Sequence, residues 1–196
     1  MTVVLVDAGG TNIGSVRYAL QRLGVDAALT ADPALIRAAD KVILPGVGAA
    51  GPGMARLREL GLVELMRGLT QPVLGVCLGM QLLCTHSEEG DTACLGLIPA
   101  SVGRFAEAPG LRIPHMGWNR LVAKKPHLLL YGMGGDDWAY FVHSYAVPVG
   151  EYTLATTDYA GEFSAVVARG NFHGMQFHPE RSAAVGARLL KNFLSL

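Results

Sequence analysis

Through the first 85 residues, short β-rich runs alternate with segments that are apolar at helical spacing, and this alternation narrows the possible folds more than any other feature. Thr2 to Val6 runs into Asp7-Ala8-Gly9-Gly10, after which Asn12 can cap a helix with the stripe Ile13, Val16, Leu20 and Leu23, closed by Gly24. Val25 to Leu29 and Lys41 to Leu44 read as further strands, the latter breaking at Pro45-Gly46-Val47-Gly48. Leu62, Val63, Leu65, Met66 and Leu69 give another helical face, which Pro72 ends. Val73 to Val76 then reads as a buried strand entering Cys77 and a helix through Cys84. Strands separated by helices in this order imply a parallel sheet.

Beyond residue 95 the texture changes to β-like runs around Trp118–Val122, Tyr140–Val147, Tyr152–Thr157, Ser164–Ala168 and Phe172–Phe177, which read as antiparallel additions. Val185, Leu189, Leu190 and Phe193 form a last helical stripe, with Ser182 placed to cap it. The expected architecture is α/β: one domain over residues 1–196, a mostly parallel central sheet flanked by helices, and antiparallel strands added in the C-terminal half. With 51% hydrophobic and 16% charged residues the chain is no disordered segment. At this size, folding buries roughly 70% of the unfolded surface.

Sixteen basic and sixteen acidic side chains cancel, which argues against a nucleic-acid partner gripped through its phosphates. No apolar run nears the ~20 residues that span a bilayer, and the N-terminus lacks the basic flank of a signal peptide. A soluble, cytoplasmic protein with no membrane partner is expected. Cys77, Cys84 and Cys94 fit neither a disulfide framework nor paired zinc ligands, so no metal is expected.

Gly75-Val76-Cys77-Leu78-Gly79 has the form G-x-C-x-G between a predicted strand and a predicted helix, the thiol version of a nucleophile elbow. A nucleophile on so sharp a turn needs glycines two residues to either side, because strand and helix cross closely there. The thiol would lie at a helix N-terminus, whose partial positive charge favours thiolate, with the Leu78 amide aimed where an oxyanion would form. Cys84 and Cys94 lack that setting and read as buried structural thiols. Of six histidines, only His178 has an obvious orienting carboxylate: Pro179 keeps Phe177-His178-Pro179-Glu180 extended, so His178 and Glu180 can project the same way.

Two glycine-rich stretches invite a nucleotide reading. Gly46-Val47-Gly48-Ala49-Ala50-Gly51 matches G-x-G-x-x-G, but Pro52-Gly53 is expected to break the helix that would cradle a pyrophosphate. Gly9 to Gly14 lacks the lysine of a phosphate loop. No cofactor is expected at either, and the backbone of Pro45 to Gly48 could instead supply an oxyanion donor.

These motifs bring the chain to a known family. Pro45-Gly46-Val47-Gly48, Gly75-Val76-Cys77-Leu78-Gly79-Met80-Gln81 and Gln176-Phe177-His178-Pro179-Glu180 resemble the class I (triad) glutamine amidotransferases in type, order and spacing. Within that class, Pro114-His115-Met116-Gly117-Trp118-Asn119, Tyr140 to Tyr145 and Arg181-Ser182 are similar to glutaminase subunits of histidine biosynthesis. The first loop departs from the family's Asp-Tyr-Gly-x-Gly-Asn by reading Asp7-Ala8-Gly9-Gly10-Thr11-Asn12, although Asn12 remains. The resemblance implies that Cys77 attacks the side-chain amide of glutamine, His178 protonates the departing ammonia and Glu180 holds the imidazole. It further implies an oxyanion hole at Gly48 and Leu78, and glutamine held by Gln81 and the Ser144-Tyr145 backbone. The implied partner is a (β/α)8-barrel cyclase subunit, met through Asn12, Trp118, Asn119, Tyr140 and Arg181.

Two other classes remain open at this point. A cysteine-elbow hydrolase of esters or lactones would carry its acid well before the histidine, whereas here the paired acid follows it by two residues. A binding domain that keeps the fold without turnover would not need Cys77, His178 and Glu180 together. Triad glutaminases that serve other synthases, such as those for anthranilate, carbamoyl phosphate, GMP or pyridoxal phosphate, are the nearest alternative.

Overall fold

The computed structural model describes residues 1–9 and 13–196, so Asn12 and its proposed capping role lie outside the described residues. In chain order the elements are β1 (Val3–Val6), α1 (Ile13–Arg22), β2 (Ala28–Thr30), α2 (Pro33–Ala38), β3 (Lys41–Gly46), α3 (Ala50–Glu59), α4 (Leu62–Arg67), β4 (Val73–Cys77), α5 (Leu78–Leu82), β5 (Cys84–Ser87), β6 (Thr92–Ala93), β7 (Ile98–Arg104), β8 (His115–Ala123), β9 (Asp137–His143), β10 (Tyr145–Ala146), β11 (Thr153–Asp158), β12 (Glu162–Arg169), β13 (Phe172–Met175) and α6 (Ala183–Leu194). Among the described residues, nine strands form one sheet in the order β2-β1-β3-β4-β13-β12-β11-β8-β9, and four more form a small sheet, β10-β7-β5-β6.

The first five strands of the large sheet are mutually parallel and the rest pair antiparallel. Apart from the exposed edge strand β2, the parallel strands are buried on both faces, which is why they read as continuous apolar runs rather than alternating ones. Val3, Leu5, Ile43 and Leu74 face a core closed by α1 and α6, while Val4, Val6, Val42 and Leu44 face one closed by α2 to α5. Among the described residues, no helix is long and apolar enough to cross a membrane.

Several sequence expectations change. Phe172 to Phe177, expected as an antiparallel addition, pairs antiparallel with β12 on one side but parallel with β4 on the other, Phe172 opposite Val73 and Met175 opposite Val76; residue pattern carries no strand direction. The helix after Cys77 stops at Leu82, and Cys84 opens a strand of the small sheet. The helix α4 ends at Gly68, ahead of Pro72. β2 begins three residues after Val25. The helix α2 and strand β7 were not foreseen, although Asp32, accepting from the Ala34 amide at 2.8 Å, with Pro33 beside it, is a recognisable helix start.

Pro52 does not break a helix. It sits in the first turn of α3, where an amide has no intrahelical partner to lose. That helix start is still unsuited to a phosphate, because the Glu89 carboxylate accepts from the Ala50 amide at 2.8 Å and puts negative charge there.

Candidate active site

The strand β4 ends at Cys77, and α5 begins at the next residue. Turning so sharply forces Cys77 to φ 54°, ψ −113°, a conformation that side chains rarely adopt. The flanking glycines make it possible. A Cβ on Gly79 would lie 1.8 Å from the Leu44 carbonyl oxygen, and one on Gly75 would lie 2.6 Å from the Gly79 carbonyl. The chain crossing at the elbow thus excludes any side chain at either position.

Because β13 lies beside β4 in parallel, its C-terminal end delivers Gln176, Phe177 and His178 to the edge where Cys77 sits. His178 is extended, but Pro179–Arg181 form a 3-10 turn rather than the extended run expected, and that turn brings Glu180 Oε1 to 3.0 Å from His178 Nδ1. The Cys77 thiol, placed to donate to the Val142 carbonyl oxygen from 3.9 Å, shares one cavity with the His178 ring. Burial pulls the His178 imidazole down, but the hydrogen bonds and charges at Cys77 and Glu180 more than offset it, and His178 is pushed up to about 10. Glu180 is itself buried, its side chain 2% exposed. Gln176 donates toward Cys77 Sγ from 3.9 Å.

Ser182 occupies the position of the α6 cap without capping it. Its hydroxyl donates to the His178 carbonyl at 2.7 Å and accepts from the Tyr140 amide at 2.9 Å. The His178 amide in turn donates to the Tyr140 carbonyl at 2.9 Å. Strand β9 therefore clamps the His178–Ser182 turn at both ends. Gly186 lets α6 pack onto that turn, since a Cβ there would come within 1.9 Å of the Pro179 carbonyl oxygen.

A cavity of about 310 Å³ opens over Cys77 and His178, lined also by Val47, Gly48, Leu78, Gln81, Glu89, Pro114, Val142, His143, Ser144 and Tyr145. Sequence positions named for catalysis, oxyanion binding and substrate binding thus converge on one hollow, except Glu180, which grips His178 from outside the lining. Gly48 is exposed, with φ +91°, a left-handed conformation that glycine adopts without penalty. Gln81 is buried rather than solvated. Its amide nitrogen donates to the Tyr145 carbonyl and to Gln176 Oε1, both at 2.9 Å, which leaves Oε1 as its spare acceptor.

Glu89 was missed by sequence reading. It is the acidic side chain among the lining residues, brought in by the small sheet that the sequence did not announce. One Glu89 oxygen holds the Ala50 amide, and the other can meet a cation in the cavity.

On the neighbouring surface, Trp118 is exposed and meets the Tyr140 ring edge-on at 6.0 Å. The Arg181 guanidinium lies over the same Tyr140 ring at 4.4 Å. Asn119 differs from these three. Its amide is turned inward, donating to the Asp158 carbonyl at 2.9 Å and to His115 Nε2 at 3.3 Å.

The chain matches the model of the class-I glutamine amidotransferase family over residues 4–196. It is 58% identical, over 99% of its length and 97% of the relative's, to the imidazole glycerol phosphate synthase subunit HisH of Xanthomonas axonopodis pv. citri. The same-named subunit of Xylella fastidiosa (strain Temecula1) is 55% identical over the same shares. Among solved structures, a glutamine amidotransferase superposes with a TM-score of 0.77 at 22% identity, covering 100% of this chain and 98% of that one. PurLQS from Thermotoga maritima superposes at 0.75 and 17% identity, covering 99% and 97%. At those identities the structural likeness speaks for the fold.

Proposed function

The chain belongs to the class I glutamine amidotransferase family, and from that premise we propose that it is the glutaminase subunit of imidazole glycerol phosphate synthase. The observation that carries the chemistry is Cys77, held on a strained elbow over the same cavity as a His178 that Glu180 grips at 3.0 Å. The identity of 58% over nearly the whole length favours this synthase over those that other triad glutaminases serve.

In this reading glutamine enters the cavity with its side-chain amide at Cys77. Its α-ammonium group meets the Glu89 carboxylate and Gln81 Oε1, and the Ser144-Tyr145 backbone holds the rest. The Cys77 thiolate attacks the amide carbon, and the oxyanion that forms is met by the Leu78 amide and Gly48. The carbon–nitrogen bond then breaks as the His178 imidazolium gives its proton to the leaving nitrogen, releasing ammonia and leaving a glutamyl thioester on Cys77. Water attacks the thioester with His178 taking its proton, and glutamate departs as the thiolate re-forms. Glu180 holds the imidazole at Nδ1 through both halves of the cycle.

Ammonia passes to a (β/α)8-barrel cyclase subunit, which uses it to form imidazole glycerol phosphate and an aminoimidazole carboxamide ribotide. The docking patch comprises Trp118, Tyr140 and Arg181, with Asn119 at its rim, and Asn12 is assigned to it from the sequence resemblance alone. Aromatic residues beside an arginine suit an interface anchor, and the fork of Arg181 suits a carboxylate on the barrel. The isolated chain is a slow glutaminase that partner and substrate activate by completing the oxyanion site around Gly48. All three thiols are free, which suits a reducing cytoplasm.

Co-purification with the cyclase, glutamine-dependent product formation and labelling by a thiol-reactive glutamine analogue test the assignment together. Label on Cys77 with product formed in the complex is the expected result. Label on Cys84 or Cys94 instead, or full turnover by the isolated chain, overturns the site or the gating respectively.

A further inference from the structure

Two buried histidines are used by no step of this chemistry, His143 at the end of β9, which lines the pocket, and His115 at the start of β8, which stands behind it. Their hydrogen bonds have one possible direction. His143 Nδ1 lies 2.7 Å from the Tyr145 carbonyl oxygen, which only accepts, so Nδ1 carries the proton. A neutral ring protonated there offers Nε2 as acceptor, and the donor facing it at 3.2 Å is His115 Nδ1. His115 Nε2 must then accept, and the Asn119 amide nitrogen stands 3.3 Å away. Reversing any link would set two N–H groups or two lone pairs against each other.

The surroundings hold both rings in place and uncharged. His115 is stacked between Tyr159, at 4.0 Å, and Phe141, at 5.0 Å, while Phe105 and Phe163 each meet His143 at 5.1 Å. Burial lowers His115 to about 4. Burial also lowers His143, to about 3, against the opposing pull of the Tyr145 carbonyl and helped by His115 and His178, the titratable groups that face it. At the outer end, Asn119 is pinned by the Asp158 carbonyl and the Arg120 amide. At the inner end the Tyr145 carbonyl receives a second bond from Gln81.

We propose that Asn119, His115 and His143 form a neutral, one-way hydrogen-bond relay that positions the Ser144-Tyr145 backbone of the substrate pocket. His115 and His143 are positioning residues. The proposal rests on the reading of that pocket as the glutamine site. Cutting the relay loosens the backbone that holds substrate while the triad keeps its geometry, so the cost falls on substrate binding more than on turnover.

The test uses the complex with the cyclase. His115→Phe keeps the ring stack and removes the donor to His143; the KM for glutamine should rise about tenfold, the effect of one lost buried hydrogen bond. Turnover at saturating glutamine and ammonia-dependent product formation should stay near wild type. His115→Asn, whose amide nitrogen reaches near the Nδ1 position, should recover most of the KM. Nitrogen-15 spectra of the wild-type chain should report both rings neutral and protonated at Nδ1 from pH 5 to 8. An unchanged KM in His115→Phe, no recovery in His115→Asn, or an imidazolium signature in that pH range overturns the relay. A wild-type complex that forms product from ammonia but releases no glutamate from glutamine overturns the glutamine reading, and with it the relay's role in substrate binding.

Discussion

His178 and His143 line the same cavity and are almost equally buried, at 8% and 7% exposure, yet they are driven in opposite directions. His178 rises to about 10 and His143 falls to about 3. Burial disfavours the charged form of both, so it cannot be what separates them. The difference lies in the partners. His178 stands between a thiol and a carboxylate, both able to carry negative charge, whereas His143 stands between a carbonyl and a second imidazole. One wall of the pocket is thereby prepared to give and take a proton, and the other to hold a shape.

Removing the negative partners is the most direct way to break this contrast. Cys77→Ala should lower glutamine-dependent turnover by at least about a thousandfold and leave ammonia-dependent product formation intact, measured in the complex. Retention of more than a few per cent of the activity would sink the nucleophile assignment. His178→Ala comes next, with a loss of about a hundred- to ten-thousandfold in glutaminase turnover, the usual scale of acid–base catalysis. If glutamate release survives within tenfold, another base is at work.

Glu180→Gln should cost less, about a hundredfold, because it disturbs the orientation and charge of the imidazole without removing it. It also sharpens the comparison through pH. A histidine raised from about 6.5 to about 10 on folding adds stability that is complete below ~6.5 and is lost as pH climbs toward ~10. A histidine lowered to about 3 or 4 adds nothing there; its cost appears as pH falls from ~6.5. Denaturant unfolding of the wild type should therefore weaken on both sides, the basic limb following His178. In Glu180→Gln the basic limb should flatten while the acidic limb stays. Two unchanged limbs would mean that Glu180 does not hold the charge on His178.

Smaller effects are expected where the backbone of the two walls is joined. Ser182→Ala removes the bridge between the His178 carbonyl and the Tyr140 amide and should lower turnover about tenfold. Steady-state kinetics of the complex check this, and an unaltered rate would reduce Ser182 to simple packing. Arg181→Ala, on the Tyr140 ring outside the pocket, should weaken cyclase binding by about tenfold and leave the free chain's fold and Cys77 labelling unchanged. Calorimetric titration with the partner would expose an unaffected affinity and move the interface elsewhere.

The candidate site was largely legible because it is written in local patterns. An elbow requires G-x-C-x-G within five residues, and His-Pro-Glu sets the imidazole and its carboxylate within a three-residue span, although by a 3-10 turn rather than the extended run the sequence suggests. The strand–helix alternation of the first half was legible for the same reason, since doubly buried strands must be apolar throughout. What distant segments contribute was not. Glu89 reaches the pocket on a small sheet whose short strands carry no strong period, and the buried state of Gln81 depends on Gln176 and Tyr145, 95 and 64 residues away. Ser182 sits in a sequence position that suits a helix cap, but the approach of β9 gives its hydroxyl stronger claims. By itself the sequence determined which residues could act and how each is presented locally. Tertiary structure alone decided that β13 lies parallel beside β4, because alternation along a strand says nothing of its direction, and that pairing brings His178 to Cys77.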